Sequence, residues 1–350
     1  MMCGVVRMIT EAVQHNFIPF GVESDRLVSN ECSQNINGQM LIMDSPCTLS
    51  VLVTAHNCEK YIVETLNSLK KACSGIEDAV EIVLVNDAST DNTSELLHTF
   101  AASFSQVKIF DVMFRNIGKV RNFGVSKCSG HYVTMLDGDD QLLQNSLADI
   151  VQFLQAQQPD ILLAPLNEVY EKKTKPQKWK GLQVTALSQH QVIEKFLIHR
   201  DIQAHFIGQF IRRSLLVDNH FPDFSCYEDA YLFPSILKAS EKIFLAKFGP
   251  YLYFKREKSL SSALDANKIS MLIKATQQMD NVLGEKYRNL LACHWINLAH
   301  KFYPLISDEH EKGVVKQAIE NVPFASFMMD SKVRFSLKKK FLKMKLRGMA

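Results

Sequence analysis

Three carboxylates, Asp137, Asp139 and Asp140, crowd around Gly138 where the apolar run Tyr132-Val-Thr-Met-Leu ends. Hard oxygen donors gathered at the C-terminal edge of a strand suit a divalent cation, because like charges this close repel unless something positive sits among them. The same residue types are ordinary turn formers, so the cluster alone leaves a solvated acidic turn open. Other polar groups also stand where apolar runs end. Thr54, His56 and Asn57 follow Leu49-Ser-Val-Leu-Val, and Asp87 and Ser89 follow Ala79-Val-Glu-Ile-Val-Leu-Val. A second acidic pair, Glu228 and Asp229, lies far downstream. It offers a general base, or else only an acidic first turn favoured by the helix dipole.

The elements that must hold these groups alternate in type. Strands are expected at Leu49 to Ala55, Ala79 to Val85, Val107 to Val112 and Tyr132 to Leu136. Between them, Ile62, Leu66 and Leu69, then Leu96, Leu97 and Phe100, then Val120 to Lys127 recur at helical spacing. Such alternation predicts an α/β fold with a mostly parallel, Rossmann-like sheet covered by helices on both faces. In that fold ligands bind beyond the C-terminal ends of the strands, where all three polar clusters fall. Later apolar runs, Ile161 to Ala164 and Phe248 to Phe254, alternate with helical patterns at Val192 to Ile198 and Tyr231 to Ala239, and the chain reads as helical from Asn267 to Ile319. Residues 1–46 show no sustained periodicity and are rich in Asn, Gln and Ser, so a poorly ordered extension is expected there. The core domain is assigned to 47–262, a helical region to 263–330 and a basic tail to 331–350.

Composition narrows the class. With 47% hydrophobic and 22% charged residues the chain is globular, and a formal net charge of +3 singles out no partner. No stretch reaches the roughly 18 to 20 apolar residues of a membrane span. The first residues carry Glu11 and lack an apolar signal core, so a cytoplasmic location is the default expectation. Eight cysteines without a CxxC pair read as reduced, mostly buried thiols. His190, His199, His205 and His220 have no ligand-like spacing, so zinc is not expected. The tail from Ser331 holds eight Lys or Arg and no acid, and Val333, Leu337, Phe341 and Met344 recur on one helical face. That face predicts reversible docking on an anionic membrane surface, a peripheral attachment, or else packing on the domain. No nucleic-acid recognition fold accompanies the basic run, so nucleic acid is not an expected partner.

In their order along the chain these motifs resemble the family-two glycosyltransferases of the GT-A fold, especially bacterial ones that build surface polysaccharides. The similarity covers residues 47 to 262 and rests on Thr54-Ala-His-Asn57, Asn86-Asp-Ala-Ser-Thr-Asp91, Gly118-Lys-Val-Arg-Asn-Phe-Gly124, Leu136-Asp-Gly-Asp-Asp140, Tyr227-Glu-Asp229 and the segment Tyr251 to Ser261. The resemblance implies a non-processive, inverting transfer of one sugar from a nucleotide sugar, a UDP-sugar above all, to a glycan or lipid-linked acceptor. It implies Mn2+ or Mg2+ held by Asp139 and Asp140, with Asp137 near the ribose. Asp87 would accept from the uracil N3–H, Thr54 and His56 would line the base, and Asn57, Ser89 and Arg121 would lie close to the nucleotide. Asp229 would be the base, with Glu228 the second choice, and Lys255 and Arg256 would contact phosphates or acceptor. Arg121 as a solvated helix residue and Lys255-Arg256 as a solvated loop remain open. Asn86 stands where the family pattern has Asp, Ala88 where it has Gly and His56 where an aromatic is common. The runner-up function is a catalytically silent nucleotide-binding or assembly protein of a polysaccharide complex.

Overall fold

The computed structural model describes residues 47–103, 106–170, 177–256 and 265–346; the extension expected at 1–46 lies outside them. Four apolar runs become strands: β1 (Leu49–Ala55), β2 (Val80–Asp87), β3 (Val107–Val112) and β4 (Tyr132–Asp137). All but β3 are buried along their whole length, as continuous Val, Ile and Leu runs are when helices cover both faces. The intervening helices are α1 (Ile62–Ala72), α2 (Thr93–Ala102) and α3 (Ile117–Lys127). Helix α1 buries Ile62, Leu66 and Leu69, and helix α3 starts where the Asn116 side chain accepts from the Lys119 N–H. At Gly124 a Cβ would lie 2.3 Å from Leu52 Cδ1, so glycine is what lets α3 lie flat on β1.

The chain continues through β5 (Gln141–Leu142), α4 (Ser146–Gln157), β6 (Ile161–Leu163), β7 (Asn167–Tyr170), β8 (Val184–Leu187), α5 (Gln189–Leu197), β9 (Phe210–Arg212), α6 (Arg213–Asp218), α7 (Glu228–Ala239), β10 (Ile243–Ala246) and β11 (Tyr251–Lys255). The main sheet has the order β3-β2-β1-β4-β9-β6-β10-β8, and β5-β11-β7 form a small second sheet. Strands β1 to β4 pair in parallel, whereas β9 runs antiparallel to both neighbours and β8 antiparallel to β10. The sheet is therefore mostly parallel, as expected, and wholly so in the half that carries the polar clusters. From β1 the chain builds outward through β2 and β3, then returns to add β4 on the other side of β1. This reversal opens a crevice at the C-terminal ends of β1 and β4, and the register sets Thr54 beside Asp137 there.

After β11 come α8 (Ala266–Leu283), α9 (Arg288–Phe302), α10 (Glu309–Glu320), α11 (Phe324–Met329) and α12 (Phe335–Leu346), in line with the expected helical region. The apolar stripe of the tail is buried at Val333, Leu337, Phe341 and Met344. The Phe341 ring meets Phe327 at 5.1 Å, and Lys340 reaches Asn297 Oδ1 at 2.9 Å. That stripe packs on the protein and is not available to lipid, because neighbouring helices bury the same area without a second phase. Phe335, Leu342 and Leu346 face outward with Lys339 and Lys343. Among the described residues no helix is long and apolar enough to cross a membrane.

Candidate active site

A cavity of about 600 Å³ opens at the switch point and collects residues from five segments. Thr54, His56 and Asn57 come from the end of β1, Asp87 and Ala88 from the end of β2, and Arg115 to Ile117 from the start of α3. Asp137 and Asp139 come from the end of β4, and Ser225 to Tyr227 from the approach to α7, with Lys268 at the rim. Most of the residues expected at a nucleotide site are thus brought together. Ser89, Asp140, Glu228, Asp229, Lys255 and Arg256 do not line the cavity.

Each wall is fixed by short bonds. Asp87 Oδ1 accepts from the backbone N–H groups of Phe114 (2.7 Å) and Arg115 (2.9 Å), which locks its carboxylate without any cation. His56 Nδ1 lies 2.6 Å from the Asp87 carbonyl. Ser89 Oγ accepts from the Asn57 N–H (3.0 Å), and Asn57 Oδ1 accepts from the Thr90 N–H (2.8 Å), so these two side chains shape the loop after β1. Asn86 donates to Asp111 Oδ1 at 2.7 Å. A carboxylate at 86 would instead face Asp111, which accounts for the departure from the family pattern by charge. Ala88 adopts φ +52°, the left-handed region where glycine is at ease, so the second departure carries strain.

The acidic turn after β4 divides its labour. Asp139 lines the cavity, while Asp140 is turned away, accepting from the Tyr251 hydroxyl (2.7 Å) and the Phe254 N–H (2.8 Å). Gly138 is needed because a Cβ would stand 2.8 Å from Cys58 Sγ. Asp140 is pushed up to about 7, first by burial and then by the charge of Asp139. Among the described residues no group of three or more His, Cys, Asp or Glu could hold an ion unaided. The set nevertheless fits a Mg2+- or Mn2+-type ion, which is often bound by one or two carboxylates and completed by substrate phosphates. Asp139, beside the cavity, would be the carboxylate available for such an ion, whereas both oxygens of Asp140 are engaged in holding the turn.

Arg121 is buried rather than solvated, with 1% of its surface exposed. Its Nη1 contacts both Asp229 and Glu228, the latter at 2.8 Å, its Nη2 stands 3.8 Å from Asp137, and its guanidinium lies 5.5 Å from the Phe221 ring centre. Glu228 and Asp229 form the buried first turn of α7 behind Tyr227. Burial, then the charge of Asp229, pushes Glu228 up to about 8; burial also raises Asp229, against the pull of Arg121. Both carboxylates are thus pushed toward the protonated form by burial, and both share the Arg121 guanidinium.

Lys255 faces Glu168 at 3.8 Å, whereas Arg256 reaches back to Asp139, with Nη1 2.7 Å from Oδ2 and Nη2 on the Asp139 carbonyl. Sequence reasoning gave no role to Tyr61, Arg115, Tyr251 or Lys268. The positive φ of Arg115, just before the helix cap, is a backbone feature that residue type does not announce.

Residues 50–219 match the family model described as Glycosyl transferase family 2. The poly(ribitol-phosphate) beta-N-acetylglucosaminyltransferase TarS of Staphylococcus aureus is 27% identical over 263 residues, which cover 72% of this chain and 44% of TarS. The minor teichoic acid biosynthesis protein GgaA of Bacillus subtilis is 24% identical over 218 residues, covering 59% of this chain and 47% of GgaA. The chain thus spans less than half the length of these two relatives. A crystal structure of S. aureus TarS 1-349 in complex with UDP-GlcNAc superposes with a TM-score of 0.63 at 20% identity, covering 86% of this chain and 92% of that one; the likeness is one of fold.

Proposed function

Because the chain carries a glycosyltransferase family 2 domain, we propose that it transfers one sugar from a UDP-sugar to a hydroxyl of a cell-surface glycan or its lipid-linked precursor, with inversion. The observation that carries this reading is the cavity that gathers Asp87, Thr54, His56, Asp137 and Asp139 on one side and Tyr227, in front of Asp229, on the other. Asp87, held rigid by two backbone N–H groups, suits a base N–H, and Asp137 suits a ribose hydroxyl. Asp139 would hold Mn2+ or Mg2+ together with the diphosphate, and the ion would offset charge on the leaving group.

On the acceptor side, a bond forms between the hydroxyl oxygen and the anomeric carbon as the bond to the diphosphate oxygen breaks, and that electron pair leaves with UDP. The hydroxyl proton passes to Asp229, which Arg121 keeps ionised and oriented. Glu228, raised by burial and by the charge of Asp229, shares the same guanidinium behind the cavity. The TarS structure in complex with UDP-GlcNAc makes that sugar nucleotide the first donor to try. Binding of UDP, GDP and dTDP measured calorimetrically with Mn2+ is expected to favour UDP; no binding of any of them would sink the reading. Slow UDP release from UDP-GlcNAc that disappears in Asp229→Asn, with UDP binding retained, supports the enzyme over a silent binding protein.

For the membrane, the candidate face is the outer one of α12, where Phe335, Leu342 and Leu346 sit among Lys339 and Lys343. Such a face suits a protein working on the cytoplasmic leaflet. Replacing Phe335, Leu342 and Leu346 by Ser is expected to abolish sedimentation with anionic vesicles while leaving the fold intact; unchanged sedimentation would remove membrane docking from the reading.

A further inference from the structure

Arg256 lies where a cation is needed. Its guanidinium stacks 3.9 Å from the centre of the Tyr61 ring, donates from Nη1 to Asp139 Oδ2 at 2.7 Å, and touches the Asp139 carbonyl through Nη2. The pair is largely buried, at 17% and 9% side-chain exposure, and Arg256 Nε is buried without a partner. Arg256 therefore spends one edge of its fork on Asp139 while part of its donor capacity goes unused. From Tyr61 on one side and Asp139 on the other, the side chain covers the carboxylate that the proposed function gives to the metal.

We propose that Arg256 is the resident counter-ion of Asp139 and that a divalent cation takes its place only when a diphosphate draws Arg256 away. The inference rests on the donor reading above and adds an order of events to it. A divalent ion on Asp139 and a guanidinium on the same carboxylate repel each other in a poorly solvated site. A nucleoside diphosphate offers Arg256 what Asp139 cannot, several anionic oxygens that match its planar fork, and it offers the metal its remaining ligands. Metal alone must displace an ion pair and a stacked ring, whereas metal with diphosphate exchanges one set of charge-assisted bonds for another. The two ligands should therefore bind cooperatively, and by linkage each should raise the affinity of the other equally.

The test uses the full chain and Mn2+, read as loss of the free-Mn2+ electron paramagnetic resonance signal, without any turnover. The wild type is expected to take up Mn2+ weakly alone and strongly with UDP. Arg256→Ala should bind Mn2+ alone about tenfold or more tighter than the wild type, and UDP should raise its uptake by a correspondingly smaller factor than in the wild type, since coupling energies of this kind span about 5- to 150-fold. Arg256→Gln, which keeps a stem over Tyr61 without the charge, repeats the measurement, and circular dichroism of both variants checks the fold. Equal Mn2+ affinities without nucleotide, with UDP-enhanced uptake intact in the wild type, would overturn the role of Arg256 and leave the donor site standing. No Mn2+ uptake by any of the proteins with UDP would overturn both.

Discussion

Two arginines each hold acidic groups at this site, and they hold them differently. Arg121 projects from α3, is 1% exposed, and answers Glu228, Asp229 and Asp137 at once. Arg256 lies just past the end of β11, is 17% exposed, and among the described residues pairs with one carboxylate, Asp139. A cation buried on a helix among three acidic residues has no alternative partner, so its charge is structural as well as orienting. One at a strand end, with a single carboxylate and a ring to rest on, can exchange partners at modest cost. On the proposed reading, the acceptor-side base Asp229 would have a fixed counter-ion and the donor-side carboxylate Asp139 a removable one.

The largest expected effect breaks the pair at its rigid member. Arg121→Met leaves Asp229 and Glu228 buried without a cation, which should cost about 3–5 kcal/mol of stability in urea unfolding. Arg256→Ala, by contrast, should cost less, about 1–2 kcal/mol, because the uncovered Asp139 lines the cavity and can take up water in place of the guanidinium. Equal losses in the two variants would erase the distinction between fixed and exchangeable. Next in size is chemistry: Asp229→Asn should slow UDP-GlcNAc turnover about a hundred- to ten-thousand-fold with UDP affinity unchanged, as removal of a general base does. A change in UDP affinity of the same size would instead put Asp229 on the nucleotide.

A smaller effect concerns pH. Glu228 titrates near 8 in the folded protein against an ordinary value of 4.5, so between those values the folded state binds one proton more than the unfolded. Stability should then be greatest at the acid end of that window and fall as pH rises toward 8. Glu228→Gln, which keeps the neutral shape, should flatten the decline, and a slope unchanged by the substitution would show that Arg121 is matched by two ionised carboxylates. The buried His199 and His294, held down to about 3 and about 4 by burial, act in the opposite direction. They take up protons on unfolding and remove stability as pH falls below about 6.5 toward 4. The two slopes belong to different parts of the molecule and separate by mutation.

Much of this was legible beforehand because burial writes itself into sequence. Strands buried on both faces leave unbroken apolar runs, and the polar residues that end them, Thr54, Asp87 and Asp137, mark the crevice directly. Pairing across distance was not legible. Nothing at Arg256 says that its partner is Asp139, 117 residues earlier, nor at Arg121 that it meets Asp229, 108 residues later. Asp140 looks like Asp139 in sequence, yet the small sheet led by β11 claims both its oxygens. The stripe of Val333, Leu337, Phe341 and Met344 pointed first to lipid, yet the protein itself buries it, because a stripe does not name what covers it.

Asp87 supplies the third case, a carboxylate held among the described residues by backbone N–H groups rather than a cation, and the smallest effect. Its position depends on the turn that follows β2, where the Ala88 N–H donates to the Val112 carbonyl at 2.8 Å with Ala88 at φ +52°. An L-residue in that region costs about 1–2 kcal/mol, which glycine avoids. Glycine in turn loosens the unfolded chain by about 0.4–1 kcal/mol, so Ala88→Gly should gain less than about 1 kcal/mol in urea unfolding. UDP affinity should stay within about twofold of the wild type, because the two backbone donors to Asp87 come from the loop between β3 and α3 and not from the strained turn. A large loss of UDP affinity with the stability gain in place would mean that Ala88, whose methyl faces a cavity it helps to line, contacts the nucleotide itself, and that the strain is kept for binding rather than tolerated.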